Sequence, residues 1–414
     1  MLITSTQGSS SGLLSTAEVA RRLGIKPQTV YAYVSRGLLR PDASSGHRNS
    51  LFALEEVERV AARARNPSRS GALEVVIETQ LTALDPEGRL HYRGRDVIEL
   101  ARFRSFEDVA GLLWDGDPFA PWELGAADRE LIRGLAALLP TVDSPGDVIP
   151  VAVAALAATD EQRADRRPEA VRHAAARMLA GALELIAGDG APAVPTAVSR
   201  PGPSAASRLW YAVRADGKRP RPAQAATLNA ALVLLADHEL AASTLAARVA
   251  ASAWADPYRV VLAGLGPLGG SLHGGASLAV EGVLTQAATS GGAFAALDQR
   301  VAAGVVPGFG HRVYRDRDPR AEHLLERLPA VADDERALRT VEATLEAAAS
   351  LGLPPPNVDF GLAALSYVMR LRPGSASTIF TVARIVGLVA HALEEYPHRL
   401  RFRPRATYAG PAPR

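Results

Sequence analysis

Short apolar stripes, each framed by a polar cap or a glycine, mark the first elements of the chain. Ala17, Val19, Ala20 and Leu23 recur at helical spacing. Ser15 stands before them, with Glu18 three residues on, the pattern in which the serine caps a helix and the glutamate reaches back. Gly24-Ile25 is a tight turn. Pro27 suits the first position of a second helix, with Val30, Tyr31 and Val34 expected to face inward and Gly37 to end it. Leu38 to Pro41, a turn at Ser44 to Arg48, and Leu51-Phe52 as a returning strand come next. A third helix is expected at about 54–65. The polar residues 1–12 are expected to form a flexible tail, and 66–72 a linker.

Beyond the linker the pattern changes. Val75 to Leu81 and Arg89 to Gly94 predict two strands around a turn at Asp85 to Gly88. Val97 to Leu100 and Phe106 to Trp114 predict helices. From there to about Leu262, alanine- and leucine-rich segments repeat at helical spacing. Gly188 to Pro222 interrupts them as an irregular excursion around one turn of helix near Trp210. No fixed-period repeat occurs.

Composition narrows the picture. The chain has 414 residues, long enough for a large core, with 48% hydrophobic and 22% charged residues. Abundant alanine and only 5% aromatics favour close-packed helices, an all-α fold, over a β-sandwich. A formal net charge of +2 implies no global polyanion partner, so a nucleic-acid site has to be a local patch. With no cysteine, disulfides, zinc–thiolate sites and thiol nucleophiles are excluded. Residues 1–12 lack the order of a signal peptide, and no uncharged apolar run is long enough to span a bilayer; a cytoplasmic location is expected, without membrane contact.

Three stretches carry candidate chemistry. In Pro307 to Ala321, a Gly/Pro turn brings the backbone close to a ligand, His311 ends it, and Arg312, Arg315, Arg317 and Arg320 follow. That suits an anionic substrate with a carbonyl to polarise. In Gly264 to Ala276, glycines crowd both sides of His273. In Pro354 to Phe360, Asp359 follows a rigid proline run among apolar neighbours, surroundings that push a carboxyl pKa upward. Two histidines and an aspartate admit a metal site, a serine triad or carbanion chemistry. The usual metal-ligand spacings and a Gly-x-Ser-x-Gly elbow are both missing. Carbanion chemistry requires neither metal nor thiol.

Two family resemblances extend this reading. The run STAEVARRLGIKPQTVYAYVSRGLL resembles the winged helix-turn-helix domain of MerR regulators over 13–65. It implies that Lys26, Gln28, Thr29, Tyr31 and Tyr33 lie on or near a recognition helix, that Arg36, Arg40 and Arg48 meet phosphates, and that DNA is a partner. The motifs SLHGGAS, VVPGFGHRVYRDRDPRA and PPNVDF look like citrate synthase, as do LLADHELAAST and the terminal RFRPRATYAGP. This likeness runs from about Leu73 to Pro411. It implies a large helical domain of 73–274 plus 376–414, a small one of 275–375, a cleft that closes, and a homodimer. It implies condensation of acetyl-CoA with oxaloacetate, a reaction of the tricarboxylic acid cycle, with no tightly bound cofactor and no metal. His273 would hold the thioester oxygen, Asp359 would be the base and His311 would polarise the ketone. His238, Arg320 and Arg384 would bind the oxaloacetate carboxylates, and Arg403 would reach in from a partner subunit. Arg315 would meet a CoA phosphate, and Pro307, Gly308, Phe309 and Gly310 the adenine end.

The remaining histidines, among them His91, His173, His323, His391 and His398, read as structural. Departures from the family pattern are Ala241, Ser277, Leu278 and Gly361, where Asn, Asn, Glu and Tyr are usual. They leave two alternatives beside citrate synthase. One is 2-methylcitrate synthase using propionyl-CoA. The other is a DNA-binding regulator with a weakly active or inactive metabolite-sensing domain.

Overall fold

A computed structural model describes residues 13–23, 27–35, 39, 41–42, 50–54, 57, 75–85, 88–116, 122–140, 142, 144–188, 204–214, 216–271, 273–289, 292–304, 306–311, 313–314 and 316–403. The chain divides into two compact units, Met1–Ile77 and Glu78–Arg414.

In the first unit, strand β1 (Leu13–Ser15) leads into α1 (Thr16–Leu23) and α2 (Pro27–Ser35). Strand β2 (Leu51–Ala53) returns antiparallel to β1, with Leu14 opposite Phe52. The Ser15 amide and hydroxyl donate to Glu18 Oε2 at 2.8 and 2.7 Å, and the Glu18 amide donates back to Ser15 Oγ at 3.4 Å. Val19, Ala20, Val30, Leu39, Phe52 and Val57 form a small core. Tyr31 is the exception to the expected inward face: it is 61% exposed. It follows Val30 directly, and a helix turns 100° per residue, so both cannot point into so narrow a core. Most of the expected tail, turn, third helix and linker lies outside the described residues.

The second unit opens on a three-stranded antiparallel sheet, β3 (Thr82–Leu84), β4 (Leu90–Tyr92) and β5 (Arg95–Asp96), in that order. The strand expected over 75–81 is therefore displaced. Thr79 Oγ1 and the Gln80 amide donate to the Glu394 carboxylate at 2.8 and 2.7 Å, so this segment pairs with a helix side chain instead of a ladder.

The rest is helical. The first group comprises α3 (Val97–Phe103), α4 (Phe106–Leu113), α5 (Ala126–Leu138), α6 (Ile149–Thr159), α7 (Pro168–Ala187) and α8 (Ala205–Val213). Then come α9 (Pro222–Leu235), α10 (Ala242–Ser252), α11 (Pro257–Leu268), α12 (Ala276–Thr289) and α13 (Gly292–Ala302). The last are α14 (Pro319–Leu325), α15 (Leu328–Val331), α16 (Glu335–Ser350), α17 (Val358–Val368) and α18 (Ser375–Glu395). The helix around Trp210 is thus longer than the single turn expected.

Helix α18 is the centre, packed against α7, α9, α10 and α11. Length and apolarity alone would let Ser375–His398 cross a membrane, but 83% of its apolar window is buried inside the fold. Its interior Arg384 breaks any uncharged run, so it is a core helix.

Candidate active site

Two irregular segments are bound edge to edge. Gly308 and Gly310 both take positive φ, +86° and +74°, which lets the loop double back. The Gly310 amide donates to the Pro355 carbonyl at 2.8 Å and the Asn357 amide to the Gly308 carbonyl at 2.9 Å. His311 leaves one segment. Asp359 leaves the other in the first turn of α17, where Asn357 caps the Asp359 amide at 3.0 Å. Asp359 keeps some exposed surface, yet its Oδ1 is closed off from solvent without a hydrogen-bond partner among the described residues. Burial, partly opposed by Arg320, raises its pKa to about 7.

His311 Nδ1 accepts from the Val313 and Tyr314 amides at 3.0 and 3.2 Å. The neutral ring therefore carries its proton on Nε2, a donor without a partner among the described residues. Burial and then Arg320 lower its pKa to about 4, so the ring is neutral at pH 7. The His238 ring lies 5.4 Å from that of His311, and His238 Nε2 is 3.2 Å from Tyr314 Oη. Burial, Arg320 and Arg384 hold His238 well below the ordinary histidine value.

Arg320 stacks over Tyr314 at 5.0 Å and pairs in a fork with Asp318, at 3.0 and 2.9 Å. Asp318 Oδ2 also accepts the Val358 amide at 3.0 Å, so one carboxylate locks the arginine to the start of α17. Among the described residues the fully buried Arg384 has no carboxylate in salt-bridge range: its Nε donates to the Leu235 carbonyl at 3.1 Å, and its Nη1 has no partner. Burial lowers its pKa, an effect Asp237 offsets. A buried guanidinium with an unused donor is prepared for a ligand carboxylate. Phe380 stands between Arg384, 4.9 Å from its ring, and His273, 6.0 Å from it.

His273 Nε2 lies 2.8 Å from Ser243 Oγ. When that hydroxyl donates, the ring proton sits on Nδ1. Burial, then Arg384, lowers the His273 pKa to about 4. No cluster among the described residues could hold a metal ion.

The structure thus groups His238, His311 and Arg320 through Tyr314, and His273 and Arg384 through Phe380. Asp359 joins by the paired loops. Arg403 is exposed. Arg315, Lys26, Arg36, Arg40 and Arg48 lie outside the described residues. Gln28 and Thr29 are on α2. Sequence reasoning missed Ser243, Tyr314, Asp318 and Asn357. Only Asp318 and Asn357 had a local signal, each standing just before a helix that it caps.

The departures have distinct settings. Ala241 occupies the N-cap of α10 and gives no side-chain cap. Ser277 is buried and its hydroxyl donates to the Gly274 carbonyl at 3.3 Å. Leu278 is 46% exposed. Gly361 lies where α17 meets α14; a Cβ there would stand 3.3 Å from Ala321 Cα. The glycine lets the helices carrying Asp359 and Arg320 approach closely.

Fold and site together define a helical enzyme unit behind a helix-turn-helix domain. Residues 13–65 match the family model described as helix-turn-helix domain, and 72–405 the one described as citrate synthase, C-terminal domain. The chain belongs to the citrate synthase family. It is 34% identical over 367 residues to a citrate synthase of Haloferax volcanii, spanning 81% of this chain and 94% of that one. It is 31% identical over 383 residues to a 2-methylcitrate synthase of Mycobacterium tuberculosis, spanning 87% and 95%. Among solved structures, citrate synthase of Thermoplasma acidophilum, in ternary complex with carboxymethyl coenzyme A and oxaloacetate, is similar with a TM-score of 0.65. That likeness has 27% identity and covers 82% of this chain and 95% of that one.

Proposed function

We propose that the second unit condenses acetyl-CoA with oxaloacetate and hydrolyses the resulting thioester to citrate and free CoA. The Asp359 carboxylate removes a proton from the acetyl methyl carbon, and the His273 Nδ1–H holds the enolate oxygen. The enolate carbon attacks the oxaloacetate ketone, and His311 Nε2–H supplies a proton to the alkoxide that forms. Water then cleaves the thioester. His238, Arg320 and Arg384 hold the substrate carboxylates, joined by Arg403 of a partner subunit in a homodimer. The turn Pro307 to Gly310 and Arg315 take the CoA nucleotide. Residues 275–375 move as a small domain against 73–274 and 376–414, and closure excludes water from the enolate. The protein works in the cytoplasm with no tightly bound cofactor.

The observation that carries this reading is the orientation of His311. Its donor is Nε2–H, and it leaves a loop bonded to the segment that enters Asp359. A His donor and a carboxyl of raised pKa suit a ketone and a carbon acid. Release of free CoA from acetyl-CoA plus oxaloacetate tests it; no release, with propionyl-CoA equally inert, would leave the metabolite-sensing alternative. Propionyl-CoA is the second acyl donor to try, because one methylene makes only a small energetic difference and the relatives include both enzymes. We propose that residues 13–65 bind DNA, on the strength of the helix-turn-helix match.

A further inference from the structure

A chain of ionisable groups runs through the core beside the site, and none of the steps above uses it. Asp237, fully buried, directly precedes His238. Its Oδ2 accepts from Thr82 Oγ1 and from His391 Nε2, the latter at 3.2 Å. Its backbone N–H and C=O both engage Tyr92 Oη, at 3.0 and 2.8 Å. His391 Nδ1 in turn accepts from Arg248 Nη1 at 2.8 Å, which fixes the His391 proton on Nε2, facing Asp237. Arg248 is fully buried; its Nε donates to Glu395 Oε2 at 2.8 Å and its Nη1 to Glu394 Oε2 at 2.6 Å. Glu395 is fully buried as well, while Glu394 reaches the edge of the fold.

The chain ends at the substrate clamp. His391 and Arg384 lie on the same face of α18, two turns apart. Between them Gly387 leaves room for the turn before α10: a Cβ there would stand 2.4 Å from Asp237 Oδ1 and from the Ala236 carbonyl. Arg384 Nε donates to Leu235, two residues before Asp237. Asp237 therefore fixes the backbone that presents His238 and supplies negative charge near Arg384, which has no carboxylate in salt-bridge range among the described residues. Buried charges are costly, and an apolar core of the same shape would serve stability as well or better.

We propose that Asp237, His391 and Arg248, anchored by Glu394 and Glu395, are positioning residues that set the place of His238 and the charge balance of Arg384 for a dicarboxylate substrate. The proposal rests on the condensation function above. It predicts a split between the two substrates. The oxaloacetate site is tied to the network, whereas the acyl-CoA groups Pro307 to Gly310 and Asp359 have no contact with it among the described residues, and His273 is set apart from Arg384 by the Phe380 ring.

The test is steady-state kinetics of the full chain. His391→Leu should raise KM for oxaloacetate by about tenfold or more while KM for acetyl-CoA stays within about twofold, the loss of a charge-assisted hydrogen bond. His391→Gln, which keeps a donor toward Asp237, should restore most of the affinity. Where His391→Leu does not fold, Asp237→Asn and Glu394→Gln should show the same split in milder form. Folded variants with both KM values unchanged, or both raised equally, overturn the proposal. A wild-type chain that neither condenses nor binds oxaloacetate by calorimetry overturns the function and this inference with it. An active wild type with unselective variants overturns the inference alone.

Discussion

Asn357 Nδ2 donates to the Gly310 carbonyl at 2.8 Å, so the residue before His311 and the cap of the helix that bears Asp359 are one unit. The proposed base and the proposed ketone-polarising histidine are thereby fixed relative to each other within a single structural element. Substitutions that loosen this pairing should lower turnover without weakening oxaloacetate binding at the arginines.

Asp359→Asn removes the base and little else. Turnover should fall by about a thousandfold or more, with oxaloacetate affinity retained. Activity of the wild type should rise with pH through about 7, as the carboxyl ionises. Stability should move the other way. With a folded pKa near 7, above its ordinary value of 3.8, this carboxyl keeps a proton in the native state that the unfolded chain has lost. Its contribution is therefore present below the unfolded value and declines as pH rises through the folded one. Thermal melts should find Asp359→Asn more stable than wild type at pH 8 and close to it at pH 4.

The two clamp arginines should part company in a melt. Arg320→Leu leaves Asp318 as a buried, unpaired carboxylate, at a cost of about 3 to 5 kcal/mol. Arg384→Leu removes a buried cation that has no carboxylate in salt-bridge range among the described residues, so the unliganded protein should lose little stability. Both should weaken oxaloacetate far more than acyl-CoA in calorimetry. Equal loss for the two ligands would contradict the clamp.

Ala241→Asn should stabilise the second unit. The position has the extended backbone of an N-cap, φ −64° and ψ 163°, without a side chain to accept from α10. A capping amide adds about 1 kcal/mol, readable as a shift in denaturant midpoint at constant slope.

Gly361→Tyr should be severe despite restoring the usual family residue. Helices α14 and α17 would have to separate, at about 1 to 3 kcal/mol or more, carrying Arg320 away from Asp359. A variant of wild-type stability and turnover would show that α17 adapts freely.

The helix-turn-helix domain should bind duplex DNA with affinity that falls steeply with salt. Arg48→Ala should weaken binding to every sequence, and Gln28→Ala or Thr29→Ala should mainly relax sequence preference. Fluorescence anisotropy with the chain's own promoter region and a random duplex reads both effects. No binding at low salt would end this assignment.

The sequence exposed what local chemistry can expose. The Ser15–Glu18 cap joins residues only three apart, and glycines beside His273 and His311 mark backbone that cannot be regular helix. Elements whose partners are distant stayed hidden. Val75 to Leu81 has the β-branched residues of a strand, but the acceptor that takes the Gln80 amide lies 314 residues away on Glu394. The partner of His391 is likewise out of reach of any local motif, because Asp237 is 154 residues distant. Tyr31 turns outward although its pattern points it inward, because an apolar run in a short helix does not say which neighbour faces the core.

Helix α18 places Arg384, His391 and Glu395 on one buried rod, with Glu394 at its edge. Amides deep in such a rod exchange with solvent deuterium only when the whole unit opens. Their protection should therefore track global unfolding, while the loop bearing His311 and the first turn of α17 exchange faster. Saturating oxaloacetate should slow exchange in the rod and in these two segments, and the change in the segments should be the larger.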